Sequence, residues 1–127
     1  MNNKLAGFIP GIEKQKQAAH KKQIEALGIN REVNLFVEEG NNDRHLGDRE
    51  EFNATLTYCR TENAVFAVAS VQGLTPRRWS SLQLLSDVAD LGIAIEVADD
   101  PVIDKQSIVV LAYSAEIARE KILTRSK

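Results

Sequence analysis

Ala64-Val65-Phe66-Ala67-Val68-Ala69 is a run of six apolar residues with nothing polar between them. A strand with one wet face alternates polar and apolar side chains; one covered on both faces does not, and reads as this run does. Three further runs are built in nearly the same way: Leu5 to Ile9, Val33 to Val37 and Ile93 to Val97, each five residues long. Strands buried on both faces belong to parallel sheets layered by helices. Each gap between the runs is long enough for the crossover that a parallel connection needs. The order is βαβαβαβα.

The gaps carry helix signals. Asp48 with Glu51 three residues on forms a capping box, and Phe52, Leu56 and Cys59 follow at one-turn spacing, predicting a helix to about Arg60. Thr75 followed by Pro76 supplies an N-cap oxygen and a first helical residue whose missing N–H costs nothing. Trp79, Leu82, Leu85 and Val88 form the apolar face behind that start. Gly28 and Gly92 each stand where a helix gives way to a strand, and glycine tolerates the left-handed conformation that ends helices. The segment from about 104 to 125 lacks glycine and proline and ends in basic residues, predicting a long last helix. Its first half, Ile108 to Tyr113, is apolar all round and therefore needs cover on more than one side. A homodimer packed through this helix is expected, with a buried terminal strand over Ile108 to Tyr113 as the alternative. The polar stretch Glu38 to Gly47 is a long loop for a compact α/β unit, and such loops are often functional.

Size and composition narrow the class. A chain of 127 residues is one domain, able to bury a core without a disulfide or metal staple. The single cysteine, Cys59, excludes an internal disulfide and a Cys-rich zinc site. No apolar run is long enough to span a membrane and the start lacks a signal-peptide pattern, so a cytoplasmic protein with no membrane association is expected. Sixteen basic and eighteen acidic residues give a net charge of −2, which argues against a globally basic nucleic-acid binder while leaving local patches open.

In open α/β sheets ligands bind beyond the carboxyl ends of the strands. The residues there are Pro10-Gly11-Ile12, Glu38 to Asp48, Ser70 to Thr75 and Ala98 to Pro101. They hold no carboxylate cluster of the phosphoacceptor kind, no dinucleotide fingerprint and no phosphate-binding P-loop. His20 and His45 have no partners at metal-ligand spacing; His20 shares a helix face with Ile24 and Leu27 and reads as a boundary residue. No metal or cofactor is expected. Cys59 and Trp79 read as core. What remains is basic: Lys14, Lys16, Lys21 and Lys22 on the first helix, where a solvated face is the plain reading, then Arg77 and Arg78, and Arg119, Lys121, Arg125 and Lys127 in the tail. Around a paired last helix the tail cations suit phosphate.

Gly7-Phe8 at the end of the first strand, Ala26-Leu27-Gly28, Asp48-Arg49, Val65-Phe66-Ala67-Val68, and Arg119 with Ile122 and Arg125 in the last helix together resemble the catalytic domain of serine recombinases, the resolvase and invertase family. The resemblance spans the whole chain. It implies a three-layer α/β/α domain over residues 1–127 with a mostly parallel sheet of four to five strands and a long C-terminal helix. It also implies an activity: strand cleavage by a serine that forms a phosphoserine link, with arginines and an aspartate around the phosphate. Measured against the family pattern, the arginine position falls on Pro10 and the nucleophile position on Ile12, which has no attacking atom. The family aspartate falls on Gln72, and two further arginines fall on Gly73 and Pro76. Arg77 and Arg78 come one and two residues late, while Arg49, Arg119 and Arg125 match family positions.

The resemblance thus implies no catalytic residue here, and a DNA-facing set of Arg49, Arg77, Arg78, Arg119, Lys121 and Arg125. The family's helix-turn-helix domain is not expected within residues 1–127, so DNA contact would be to the backbone and not sequence-specific. Two rivals stand beside this expectation of an inactive, dimerising or DNA-associated module. One is an active recombinase or nicking enzyme with a displaced nucleophile such as Ser70 or Thr75. The other is a protein-interaction module without DNA contact.

Overall fold

The computed structural model describes residues 3–40, 49–71, 74–75 and 78–99, the side chains of 78–80 excepted. Four strands and three helices alternate: β1 (Lys4–Ile9), α1 (Lys14–Leu27), β2 (Glu32–Val37), α2 (Glu50–Glu62), β3 (Val65–Val68), α3 (Arg78–Asp90) and β4 (Ile95–Val97). The strands form one sheet in the order β2-β1-β3-β4, and every pairing is parallel. The expected long helix over 104–125, and the strand alternative within it, lie outside the described residues.

Each strand run ends up where its composition sends it. Along β1, Leu5 and Ile9 face α1 and pack with Ile24, Val65 and Ala67. Ala6 and Phe8 face the other way, into a larger cluster with Phe66, Val68, Ile95 and Val97 of the sheet, Phe52 and Cys59 of α2, and Leu82, Leu85 and Val88 of α3. Both faces of the central strands are therefore covered, and a three-layer arrangement follows from their near-continuous apolar sequence. The larger cluster centres on three rings: Phe8 and Phe66 stack at 6.2 Å, and Phe52 meets both edge-on at 5.5 and 6.0 Å, geometries that suit the ring quadrupoles. β2 departs from the expectation. It pairs only with β1 among the described strands, and its residues are half-buried or exposed; Asn34, inside the run, hydrogen-bonds the Tyr58 hydroxyl at 2.6 Å.

The helix ends refine the sequence reading. α2 starts at Glu50 with Arg49 in the N-cap position and no side-chain cap. The N-cap position thus falls on an arginine whose guanidinium is engaged elsewhere; the capping box expected from Asp48 and Glu51 rests on Asp48, which lies outside the described residues. α2 runs two residues past Arg60 to Glu62, where Asn63 turns left-handed at φ 54° and its N–H meets the Cys59 carbonyl. Gly92 is left-handed as expected, at φ +82°.

Gly28 is not left-handed. Its φ is −89°, and the left-handed residue of that turn is Asn30 at φ 71°. Glycine is required at 28 for space: a Cβ there would lie 2.1 Å from Cγ2 of Val33 and 3.4 Å from Cδ2 of Leu5. The end of α1 and the start of β2 are pressed together at this point.

Substituting Gly28→Ala should therefore cost about 1–3 kcal/mol as overpacking, read from the urea midpoint, and the double variant Gly28→Ala/Val33→Ala should lose less than the sum of its parts. Gly92→Ala meets no atom within 4 Å and should cost only about 1–2 kcal/mol of backbone strain, independent of Val33.

Candidate functional site

Order β2-β1-β3-β4 sends the chain from β1 to one side and back across to the other, so the crevice between the carboxyl ends of β1 and β3 is where an open sheet of this kind offers a site. Pro10 ends β1, and its carbonyl accepts the Ile12 N–H at 3.0 Å and Gln17 Nε2 at 2.9 Å. Beside it, the chain leaving β2 stays in register for one more bond, Glu38 N–H to the Ile9 carbonyl at 2.9 Å. Gln17 Nε2 also donates to the Glu38 carbonyl at 2.8 Å, tying α1 to both strand ends.

The Glu38 side chain turns inward and is 6% exposed. Its Oε1 accepts the Gly11 N–H at 2.7 Å and Arg49 Nη2 at 2.6 Å, and its Oε2 accepts Arg49 Nε. Arg49 is 2% exposed, donates from Nη1 to the Leu74 carbonyl at 2.7 Å, and holds its guanidinium 5.5 Å from the centre of the Phe8 ring. Four chain segments converge here: the turn after β1, the end of β2, the entry to α2 and the stretch after β3. The turn is tight enough that a Cβ on Gly11 would stand 2.5 Å from the Gly40 carbonyl oxygen.

A buried guanidinium bound in this two-pronged way is electrically satisfied. Its charge is cancelled by the carboxylate it touches, so the pair presents neither a free cation for a phosphate nor a free base for a proton. Arg49, expected at a DNA-facing surface, is instead an interior residue. Pro10 and Ile12 stand at the end of β1, joined to the pair through Gly11, and neither carries a group capable of attack. Thr75 is buried, its Oγ1 lies 3.0 Å from Ser81 Oγ, and its N–H donates to the same oxygen at 3.1 Å. Ser70 is half-buried just past β3. Arg78 opens α3. Gln72, Gly73, Pro76, Arg77, Arg119, Lys121 and Arg125 lie outside the described residues, as does His45.

Sequence reasoning passed over Glu38 and Gln17. The signal for Glu38 was an acid directly after an apolar strand at the sheet's ligand end; only the fold reveals that it turns in to meet Arg49.

The remaining reactive side chains behave as core and boundary groups. Burial pushes the Cys59 thiol up to about 12, and the thiol sits in the apolar layer under α2. His20 is half-buried on the α1 face that carries Ile24 and Leu27. Burial holds its imidazole below the usual range against a smaller opposing pull from Asp99, while Lys16 adds to the lowering. Among the described residues no group of His, Cys, Asp and Glu could hold a metal ion, and no helix is long and apolar enough to cross a membrane.

This architecture is the resolvase-like fold. Two solved structures share it: the N-terminal catalytic domain of TP901-1 integrase, at 17% identity over 92% of this chain and 97% of that one with a TM-score of 0.67, and a resolvase family site-specific recombinase from Streptococcus pneumoniae, at 22% identity over 97% of this chain and 92% of that one with a TM-score of 0.69. What is shared at these identities is the fold. No protein-family model matches the chain, and no curated protein does.

Glu38→Gln removes the charge that compensates Arg49 while keeping the shape, and should cost about 3–5 kcal/mol in urea unfolding. Arg49→Met should cost a similar amount, and the double variant clearly less than the two together; simple additivity would mean the pair is not a unit. Cys59 should resist iodoacetamide at pH 8, because only about one thiol in ten thousand is then ionised, and should react at an ordinary rate once urea unfolds the chain.

Proposed function

We propose that the protein is a serine recombinase-like domain, associated with site-specific DNA recombination, that does not cut DNA and acts as a dimerising or DNA-associated regulatory module. The observation that carries this reading is the state of the β1 end. The position that the family resemblance gives to the nucleophile is Ile12, and the guanidinium tied to the same turn is closed off by a buried carboxylate. Phosphoryl-type transfer on DNA needs a hydroxyl and uncompensated positive charge on the developing transition state. This turn offers an alkyl group and a neutralised pair.

Losses at Pro10, Gln72, Gly73 and Pro76 point the same way, since they remove the arginine and aspartate positions that would have to work together. DNA contact, in this reading, falls to Arg77, Arg78, Arg119, Lys121 and Arg125, with the helix over 104–125 pairing two copies so that their positive fields add. The likeness of fold to an integrase catalytic domain and to a site-specific recombinase supports the DNA-related role.

Incubation with duplex or nicked DNA carrying crossover sites of the family type, followed by denaturing gel electrophoresis, should give no covalent protein–DNA adduct, and Ile12→Ser alone should give none either. An adduct from the wild-type chain that disappears in Ser70→Ala or Thr75→Ala would overturn the assignment of inactivity. Light scattering after size exclusion should report a dimer at high micromolar concentration; a monomer there removes the dimerising role.

A further inference from the structure

The charges of α1 and α2 are arranged in opposite ways. α2 has Glu50 and Glu51 in its first turn and Arg60 in its last, the order that the helix dipole favours. α1 has no acid in its first turn and no base in its last. Instead Lys14 and Lys16 occupy the amino-terminal turn, where the dipole opposes them, and the N-cap residue Glu13 makes no side-chain cap. Helix stability therefore does not account for the lysines of α1.

Their surroundings sharpen the point. Lys4, Arg31 and Arg49 are ion-paired, with Glu62, Glu96 and Glu38 respectively. Lys14, Lys16, Lys21 and Lys22 are exposed and have no ion-pair partner among the described residues. At about 100° per residue, Lys14, Lys21 and Lys22 share an arc of about 100° that runs from the flank of the buried Ile24 to the side opposite it, where Lys22 stands, and Lys16 lies on the other flank beside His20. The acid on that arc, Glu25, comes at the carboxyl-terminal end and is not bonded to Lys21 or Lys22. Among the lysines the other exposed positions are Gln15, Ala18, Ala19, Gln23 and Glu25, so the surface is polar and carries three cations, Lys14, Lys21 and Lys22, to one anion.

We propose that this face of α1, through Lys14, Lys21 and Lys22, docks on the phosphate backbone of duplex DNA without regard to sequence. Lys14 and Lys22 are separated by about 12 Å along the helix axis, the length over which one strand advances by three to four phosphates along a duplex laid parallel to α1, at roughly 3.4 Å of axial rise each. Glutamine adds neutral donors of the kind that phosphates accept. A membrane surface fits poorly, because the exposed face has no large apolar or aromatic residue to enter the lipid boundary. The proposal does not need the recombinase reading: it rests on α1 alone and names a surface apart from the tail arginines.

The test uses the full chain, a 20-base-pair duplex of arbitrary sequence and fluorescence anisotropy over a salt series. Wild-type affinity should fall about forty-fold between 50 and 200 mM salt if three phosphates are neutralised. Lys14→Gln/Lys21→Gln/Lys22→Gln should abolish most of that slope, and Arg60→Gln, an exposed cation on the opposite side of the sheet, should leave it unchanged. Lys14→Glu should weaken binding while leaving the thermal midpoint equal or higher, whereas a structural role for Lys14 would lower both. Binding that survives the triple variant but is lost in Arg119→Gln/Arg125→Gln overturns the α1 surface and spares the DNA-associated reading. Loss in the triple variant with retention in the tail variant does the reverse. No wild-type binding at 20 mM salt, or binding only to vesicles rich in phosphatidylglycerol, overturns the proposal.

Discussion

The ligand end of this domain depends on a single buried ion pair. Removing two charges from water costs several kcal/mol per ion unless each finds partners in the interior. Glu38 and Arg49 find them in each other, in the Gly11 N–H, in the Leu74 carbonyl and over the Phe8 ring. Because those partners come from four separate stretches of chain, the pair fixes the exits of β1, β2 and β3 and the entry to α2 with respect to one another. It also explains why α2 begins without a side-chain cap: the residue in the capping position is the arginine that the interior has claimed.

The same pair decides what the crevice can bind. In an open parallel sheet the ends of the two central strands are the natural place for an anionic ligand, and an arginine there suggests phosphate. A carboxylate touching two guanidinium nitrogens cancels that attraction at the point of contact. Ile12, joined to the pair through Gly11, adds an alkyl side chain at the same turn. The two resolvase-like structures share the frame; this chain's own residues set what the frame can do.

The frame was legible because it follows from periodicity. Nearly continuous apolar runs located the four described strands, and one-turn spacing located the buried faces of α2 and α3 through Phe52, Cys59, Leu82, Leu85 and Val88. What escaped the sequence was information that exists only between distant segments. Asp48 and Glu51 have the spacing of a capping box, yet the N-cap position falls on Arg49, whose guanidinium is bound in the interior. Gly28 looked like a left-handed cap, and only the approach of Val33 and Leu5 shows that it is there for want of space. Glu38 and Arg49 are eleven residues apart across a loop, with no periodic relation to betray their contact. The half-buried and exposed side chains of β2 belong to the same class: strand order, not local composition, leaves this run with one partner among the described strands.

Charge placement separates what holds the protein together from what is left to meet other molecules. Lys4, Arg31 and Arg49 are engaged in internal pairs with Glu62, Glu96 and Glu38; the pairs leave the chain's net balance of −2 unchanged, so what matters outside is where the remaining charges lie. The lysines of α1 project from the helix that leads directly out of the Pro10-Gly11-Ile12 turn, and none of them has an ion-pair partner among the described residues. An arrangement that opposes its own helix dipole is costly on its own, if only by tenths of a kcal/mol per charge, and an external polyanion would convert that cost into attraction. The paired charges at the strand ends and the unpaired lysines of α1 thus divide the work of the basic residues between holding the fold and facing outward.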